Sequence, residues 1–235
     1  MLPKISYPLF DVTIPSSGKK IKMRPFLVKE EKILLTAQST GEQRETILAI
    51  KQVVNNCIVD DGVNVDKLAT FDLEYLFVKL RARSVNNLID VTYDDPDDEK
   101  QYKIQIDLDK VEIRTDERHS TKIQINDDMG IMLRYPRTDM LQGLDKAESE
   151  VDVYFEVIKY CIESVYDAES VYSASETSSE EMDEFITNLD VSTFKQIQLF
   201  LETMPKLFYE ASYTNSLGTE RKVVLQSLND FFMLG

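Results

Sequence analysis

The sequence predicts an α+β fold, with antiparallel hairpins in the middle of the chain and helices in its N- and C-terminal thirds. Three observations carry this. Apolar residues keep a helical period through 28–37, 46–58, 73–80, 153–165 and 194–204. Polar and apolar residues alternate through 20–24, 88–93 and 101–108, the pattern of strands with one buried face. Gly, Pro, Asn, Asp and Ser gather where one period gives way to the other.

The first element is a hairpin over residues 7–25. Leu9, Val12 and Ile14 are its apolar positions, and Ser16-Ser17-Gly18-Lys19 is its turn, with Gly18 free to take positive φ. The return strand Lys20-Ile21-Lys22-Met23-Arg24 alternates, and Pro15 and Pro25 punctuate the ends. Val28, Ile33, Leu34, Leu35 and Ala37 define a first helix, broken at Thr40-Gly41. A second runs over about 42–58 on Ile47, Ile50, Val53, Val54, Cys57 and Ile58. After the turn Asp60-Asp61-Gly62, Thr70 is placed to cap a third helix with the stripe Leu73, Leu76, Phe77, Leu80.

Strands follow at 88–93 and 101–108, joined by the acidic turn Asp94-Asp95-Pro96-Asp97-Asp98-Glu99, and the pattern continues at 111–114, 122–125 and 130–135. Together they are expected to form one antiparallel sheet with a polar face. A strong helix begins near Glu150 and carries Val153, Phe155, Val157, Ile158, Cys161, Ile162 and Val165 as its apolar positions. Residues 167–179 read as a polar loop and 180–188 as a short acidic helix. Ser192 is placed to cap a helix with the stripe Phe194, Ile197, Phe200, Leu201, Met204, which Pro205 ends. A hairpin turns at Asn215-Ser216-Leu217-Gly218, and an apolar tail closes the chain. Residues 1–235 are expected to form one α+β unit around a shared core. Its subdivisions are 1–86 (hairpin plus helices), 87–136 (β region) and 137–235 (helices plus hairpin).

Composition narrows the function. With 43% hydrophobic and 29% charged residues, the 235-residue chain can both bury a core and stay soluble. The net charge of −15 is that of a chain repelled by nucleic acid and anionic membranes. Its one basic run is Lys19-Lys20-Ile21-Lys22-Met23-Arg24. Cys57 and Cys161 sit in apolar helical patterns as small buried hydrophobes, without a CxxC pair, which suits a reducing compartment. Neither a membrane-spanning apolar stretch nor a signal-peptide pattern is read in the sequence.

Chemical motifs are scarce. One histidine, His119, lies in the polar stretch Asp116-Glu117-Arg118-His119-Ser120 and reads as a solvated loop residue. Ser16-Ser17-Gly18-Lys19-Lys20 has the ending of a P-loop, but lacks the upstream glycine and leads into a strand. The acidic turn at Asp94 lacks EF-hand spacing and reads as solvated. No metal, cofactor or catalytic residue is expected. Two stretches stand out as contact surfaces: the aromatic C-terminal tail, which docks either on its own domain or on a partner, and the acidic segment 175–190, a lid or a surface for a basic partner.

Two stretches carry a resemblance. The first is Tyr7-Pro8-Leu9-Phe10 followed by Ile14-Pro15-Ser16-Ser17-Gly18-Lys19-Lys20-Ile21-Lys22-Met23-Arg24-Pro25-Phe26-Leu27-Val28-Lys29-Glu30-Glu31-Lys32. The second is Tyr213-Thr214-Asn215-Ser216-Leu217-Gly218 with Phe231-Phe232. They are similar to the two ends of the baseplate hub assembly proteins, or hub subunits, of T-even-like bacteriophages. The resemblance implies a late viral protein that is not an enzyme. It would act by protein–protein binding, as a chaperone-like assembly factor for the tail baseplate hub. Its partners would be other phage baseplate hub or tail proteins, not nucleic acid or membrane, and self-association is left open. Its place would be the cytoplasm of the infected host, or the virion tail for a retained structural subunit. A carboxylate-dependent hydrolase is a further alternative, motivated by acidic content alone. Candidate partner-binding residues are Lys20, Lys22 and Arg24 on the first hairpin and Leu228, Phe231, Phe232 and Leu234 in the tail.

Overall fold

A computed structural model describes residues 7–140 and 149–232. In chain order its elements begin with β1 (Phe10–Thr13), β2 (Lys20–Met23), α1 (Val28–Thr40), α2 (Gln43–Cys57) and α3 (Thr70–Ser84). The strands β3 (Leu88–Asp94), β4 (Gln101–Asp107), β5 (Glu112–Arg114), β6 (Lys122–Gln124) and β7 (Gly130–Leu133) follow. Then come α4 (Glu150–Cys161), β8 (Ile162–Tyr166), β9 (Val171–Ser173), α5 (Ser179–Thr187) and α6 (Val191–Thr203). The chain closes with β10 (Lys206–Thr214), β11 (Glu220–Leu225) and α7 (Leu228–Phe232). The fold is α+β, with every described strand pair antiparallel.

The single sheet expected over residues 88–135 is instead divided among three, β3-β4, β11-β10-β5 and β6-β7-β8-β9, while β1-β2 forms the separate hairpin expected of it. The reason is long-range pairing. β5 leaves its sequence neighbours and lies beside β10, with Leu207 opposite Ile113. The chain accordingly divides into two units: Met1–Arg114 with Lys206–Gly235, and Thr115–Pro205. The breaks expected near 86 and 136 fall inside these units.

In the first unit, alternation decides which face of the β1–β2 hairpin is buried. Val12, Ile21 and Met23 join Val53, Val54, Cys57, Leu76 and Leu80 in one cluster, while Lys20 and Lys22 stay exposed. Gly18 turns the hairpin at φ +67°, a value that a Cβ disfavours. Leu9 lies outside β1 and is exposed, a correction to its expected strand role. Two buried carboxylates anchor the helices. Asp72 accepts from the Ser16 N–H (2.9 Å), the Ser16 hydroxyl (2.5 Å) and the Ala69 N–H (3.3 Å), which starts α3 and ties it to the hairpin turn. Thr70 is therefore not the cap: it is already the first helical residue. Glu30 accepts from the Leu27 N–H (2.9 Å) at the start of α1. A second cluster joins Val78 of α3 to Val91, Ile104, Ile106, Leu108, Leu207, Val223, Leu225 and Phe231.

In the second unit, Ile123, Ile131, Leu133, Ile158, Cys161, Ile162, Met182, Ile186, Ile197 and Phe200 form the core. The helix expected to run through Val165 stops at Cys161. β-Branched Ile162 and Val165 pair with Leu133 and Ile131 of β7, so the chain turns directly from helix to strand. The expected loop at 167–179 contains β9. Asp190, not Ser192, caps α6, accepting from the Ser192 N–H (2.8 Å) and the Thr193 N–H (3.1 Å). Gly130 is required by space: a Cβ there would lie 2.5 Å from Tyr166 Cζ and 2.6 Å from the Ile123 carbonyl oxygen.

Candidate partner-binding surfaces

The expected basic hairpin divides. Lys20 and Lys22 stand on the exposed face of β2. Arg24 turns inward: its guanidinium donates to Glu30 Oε1 (3.0 Å), the Pro25 carbonyl (3.0 Å) and the Asn56 carbonyl (2.8 Å). It ties the end of β2 to the start of α1 and the end of α2, and its hydrogen bond to Glu30 raises its pKa. Lys20 and Lys22 are exposed to water, whereas Arg24 holds its own domain together.

The tail divides as well. Phe231 is buried in its own unit, beside Val78, Leu207 and Leu225. Leu228 is half-buried against both clusters of that unit. Asp230 accepts from the Gln226 N–H (2.8 Å) and Ser227 N–H (2.9 Å), which fixes the start of α7. The described part of the tail thus docks on its own domain. Phe232 ends α7, with its side chain outside the description, and Leu234 lies outside the described residues.

The acidic turn at Asp94 is a clasp and not a solvated loop. Asp95 is buried, and it accepts a hydrogen bond from the Tyr213 hydroxyl (2.5 Å). That bond holds its pKa below the usual carboxylate range. Arg221 reaches Asp97 at 2.8 Å. Asp98 accepts from the Tyr102 hydroxyl (2.5 Å), the Ser216 N–H (3.0 Å) and the Ser216 hydroxyl (2.7 Å). Desolvation works against its charge, but these donors outweigh it and lower its pKa. The tips of β3–β4 and β10–β11 are thereby locked together, and the carboxylates of Asp95, Asp97 and Asp98 are already engaged.

His119 is likewise not a solvated loop residue. Its ring is half-buried and stacks on Phe200 (5.1 Å) and Tyr135 (5.6 Å). The Thr203 hydroxyl donates to the Leu199 carbonyl (2.5 Å), so it accepts from His119 Nδ1–H at 3.0 Å. Nε2 then accepts from the Tyr135 hydroxyl at 3.1 Å. Burial lowers the pKa, which keeps the ring neutral in this bonding pattern. Burial pushes the thiol of Cys57 up to about 11 and that of Cys161 up to about 12, so both remain protonated core residues. Among the described residues, no group of three or more His, Cys, Asp or Glu is arranged to hold a metal ion. None of their helices is long and apolar enough to cross a membrane. A groove of about 360 Å³ between α1 and α2 is lined by Lys29, Lys32, Ile33, Ala37, Glu45 and Leu48 among others, and no carboxylate pair converges in it.

The surface that sequence reasoning missed is on α4 and α6. The sequence pattern counts Phe155 among the apolar positions of α4 and Phe194 on the apolar stripe of α6. Phe155 is 39% exposed, and its ring stacks on half-buried Phe194 at a centroid distance of 5.7 Å. Val151, one turn before Phe155, is 63% exposed, and Val191, one turn before Phe194, is 71% exposed. The signal was present: Val153, Phe155 and Val157 are spaced by two, so a helix cannot turn all three to one core. This apolar face belongs to a unit with 20 acidic and 7 basic residues, net −13.

The family model described as T4 bacteriophage base plate protein matches residues 7–233. No curated protein matches the chain, and no solved structure does.

Proposed function

The chain belongs to the T4 bacteriophage base plate protein family, and from that premise we propose that it is an assembly factor for the baseplate hub, acting by protein–protein binding and not by catalysis. The hub assignment rests on the resemblance of residues 7–10, 14–32, 213–218 and 231–232 to hub assembly proteins. The mode of action rests on one observation: the stacked Phe155–Phe194 pair lies at the surface of a strongly acidic unit. Apolar side chains at a surface are the usual anchors of protein contacts, and the charge around them selects the partner and speeds its approach. Lys20 and Lys22, exposed on β2, are open to a secondary contact that capture through the Phe155 face does not require. The protein works in the host cytoplasm while the hub is built. The family description, a base plate protein, equally favours a structural subunit retained in the tail.

A tagged chain recovered from phage-infected cells, beside mass spectrometry of purified virions, separates the two. Hub or tail proteins in the recovered complex, with this chain missing from virions, is the expected result. The chain at fixed stoichiometry in virions makes it a structural subunit. Recovery without any tail or baseplate protein overturns the reading.

A further inference from the structure

We propose that the α4–α6 face of the second unit docks a different baseplate protein through a segment that presents an apolar anchor flanked by lysine and arginine, and that it does not dock a second copy of this chain. The proposal deepens the binding role given above and rests on it.

Two features of the face define its partner. The first is apolar and aromatic. Val151 and Phe155 share one side of α4, and Val191 and Phe194 share one side of α6. The Phe155–Phe194 stack joins the two pairs into one patch, with Tyr154 edge-on to Phe155 at 6.4 Å. Aromatic pairs of this kind become the desolvated centre of an interface when a partner covers them.

The second feature is the rim. Glu150, Asp152 and Glu156 lie along α4, and Asp190 precedes Val191. Lys159, the cation of α4, is already held by Glu156 (2.8 Å) and Asp183 (2.7 Å). On α6, Lys195 is the single basic residue. An apolar centre inside a carboxylate rim is complementary to a partner with the opposite rim. The same charge argues against self-association. A two-fold contact places a patch on its own copy, and here that would set two carboxylate rims face to face within units of net −13 each.

The test uses the full-length tagged chain in phage-infected cells. Phe155→Ser should lower recovery of the baseplate partner at least tenfold while the chain still unfolds in one cooperative transition. The double variant Val151→Ser with Val191→Ser changes exposed positions, so it should lower recovery without affecting folding. A photo-crosslinking benzoylphenylalanine in place of Phe155 should join the chain to a baseplate protein within a Lys/Arg-bearing segment. Recovery of the wild-type complex should fall steeply as salt rises, and Glu150→Lys with Asp152→Lys should flatten that dependence. The docking proposal is overturned if both apolar variants recover the partner as the wild type does, if the crosslink joins two copies of this chain, or if it lands in an acidic segment. Recovery of no baseplate protein by the wild type overturns the functional reading itself, which distinguishes the two failures.

Discussion

The first unit holds 22 acidic and 20 basic residues, net −2, and the second holds 20 and 7, net −13. The difference lies in use as much as in number. In the first unit, acidic side chains build the fold: Asp72 and Glu30 start helices, while Asp95 and Asp98 lock two hairpins together. In the second, α5 carries Glu180, Asp183 and Glu184 exposed to water, and the capping carboxylates Glu181 and Asp190 are exposed as well. Two acidic stretches that look alike in sequence therefore do different work. One is bonded between two hairpins with Asp95 buried; the other caps helices through Glu181 and Asp190 and holds Lys159 through Asp183, yet keeps its carboxylates exposed to water.

The largest effect that would break this comparison is expected at Asp72. Asp72→Ala leaves the Ser16 and Ala69 donors without their buried acceptor and should cost about 3 kcal/mol, read from the urea midpoint followed by circular dichroism. A loss near zero would mean that the first unit does not depend on its buried carboxylates.

His119→Ala removes a stacked ring from the second unit and should cost about 2 kcal/mol. The pH dependence has a definite sign. The folded pKa of His119 lies below its unfolded value of 6.5. Its stabilising contribution is therefore present above pH 6.5 and is lost as pH falls through the folded pKa. Stability measured from pH 7 to pH 5 should fall in the wild type, and the share due to this ring should vanish in the variant.

Glu74 works in the opposite sense. Burial, with Asp230 nearby, raises its pKa to about 7. Its protonated form is favoured on folding, so the strain is absent below about pH 4 and grows as pH rises through 7. Glu74→Gln should stabilise the protein by about 1–2 kcal/mol at pH 8, discounted for partial solvation, and by nothing near pH 4 in thermal melts at the two values. The smallest effect is on the exposed carboxylates of the second unit. Glu176→Gln with Glu184→Gln should change stability by less than about 0.5 kcal/mol, while reducing the salt sensitivity of partner capture.

Much of the fold was legible in the sequence. The spacing of Ile50, Val53, Val54 and Cys57 marks α2, and the alternation at Lys20–Met23 marks β2, because burial on one face leaves its period in the chain. The pairing of Ile113 with Leu207 leaves no such trace, since it depends on residues about ninety positions apart. The switch at Cys161–Ile162 was hidden because an apolar run suits helix and buried strand equally. Acidic clustering at Asp94 was visible, but the hydroxyls of Tyr213 and Ser216 that engage it were not. At the candidate surface, hydrophobicity alone points to core because burial is the commoner fate of a phenylalanine, although the spacing around Phe155 exceeds what one helix face can bury.

The most direct test sets the two units against each other in the same capture experiment. Full-length chains carrying Phe155→Ser, or Lys20→Glu with Lys22→Glu, are recovered from infected cells, and their baseplate partners are quantified. The account predicts that the Phe155 variant loses its partner at least tenfold while the lysine variant retains it. Retention by the Phe155 variant and loss by the lysine variant would contradict it and place the contact on the first hairpin.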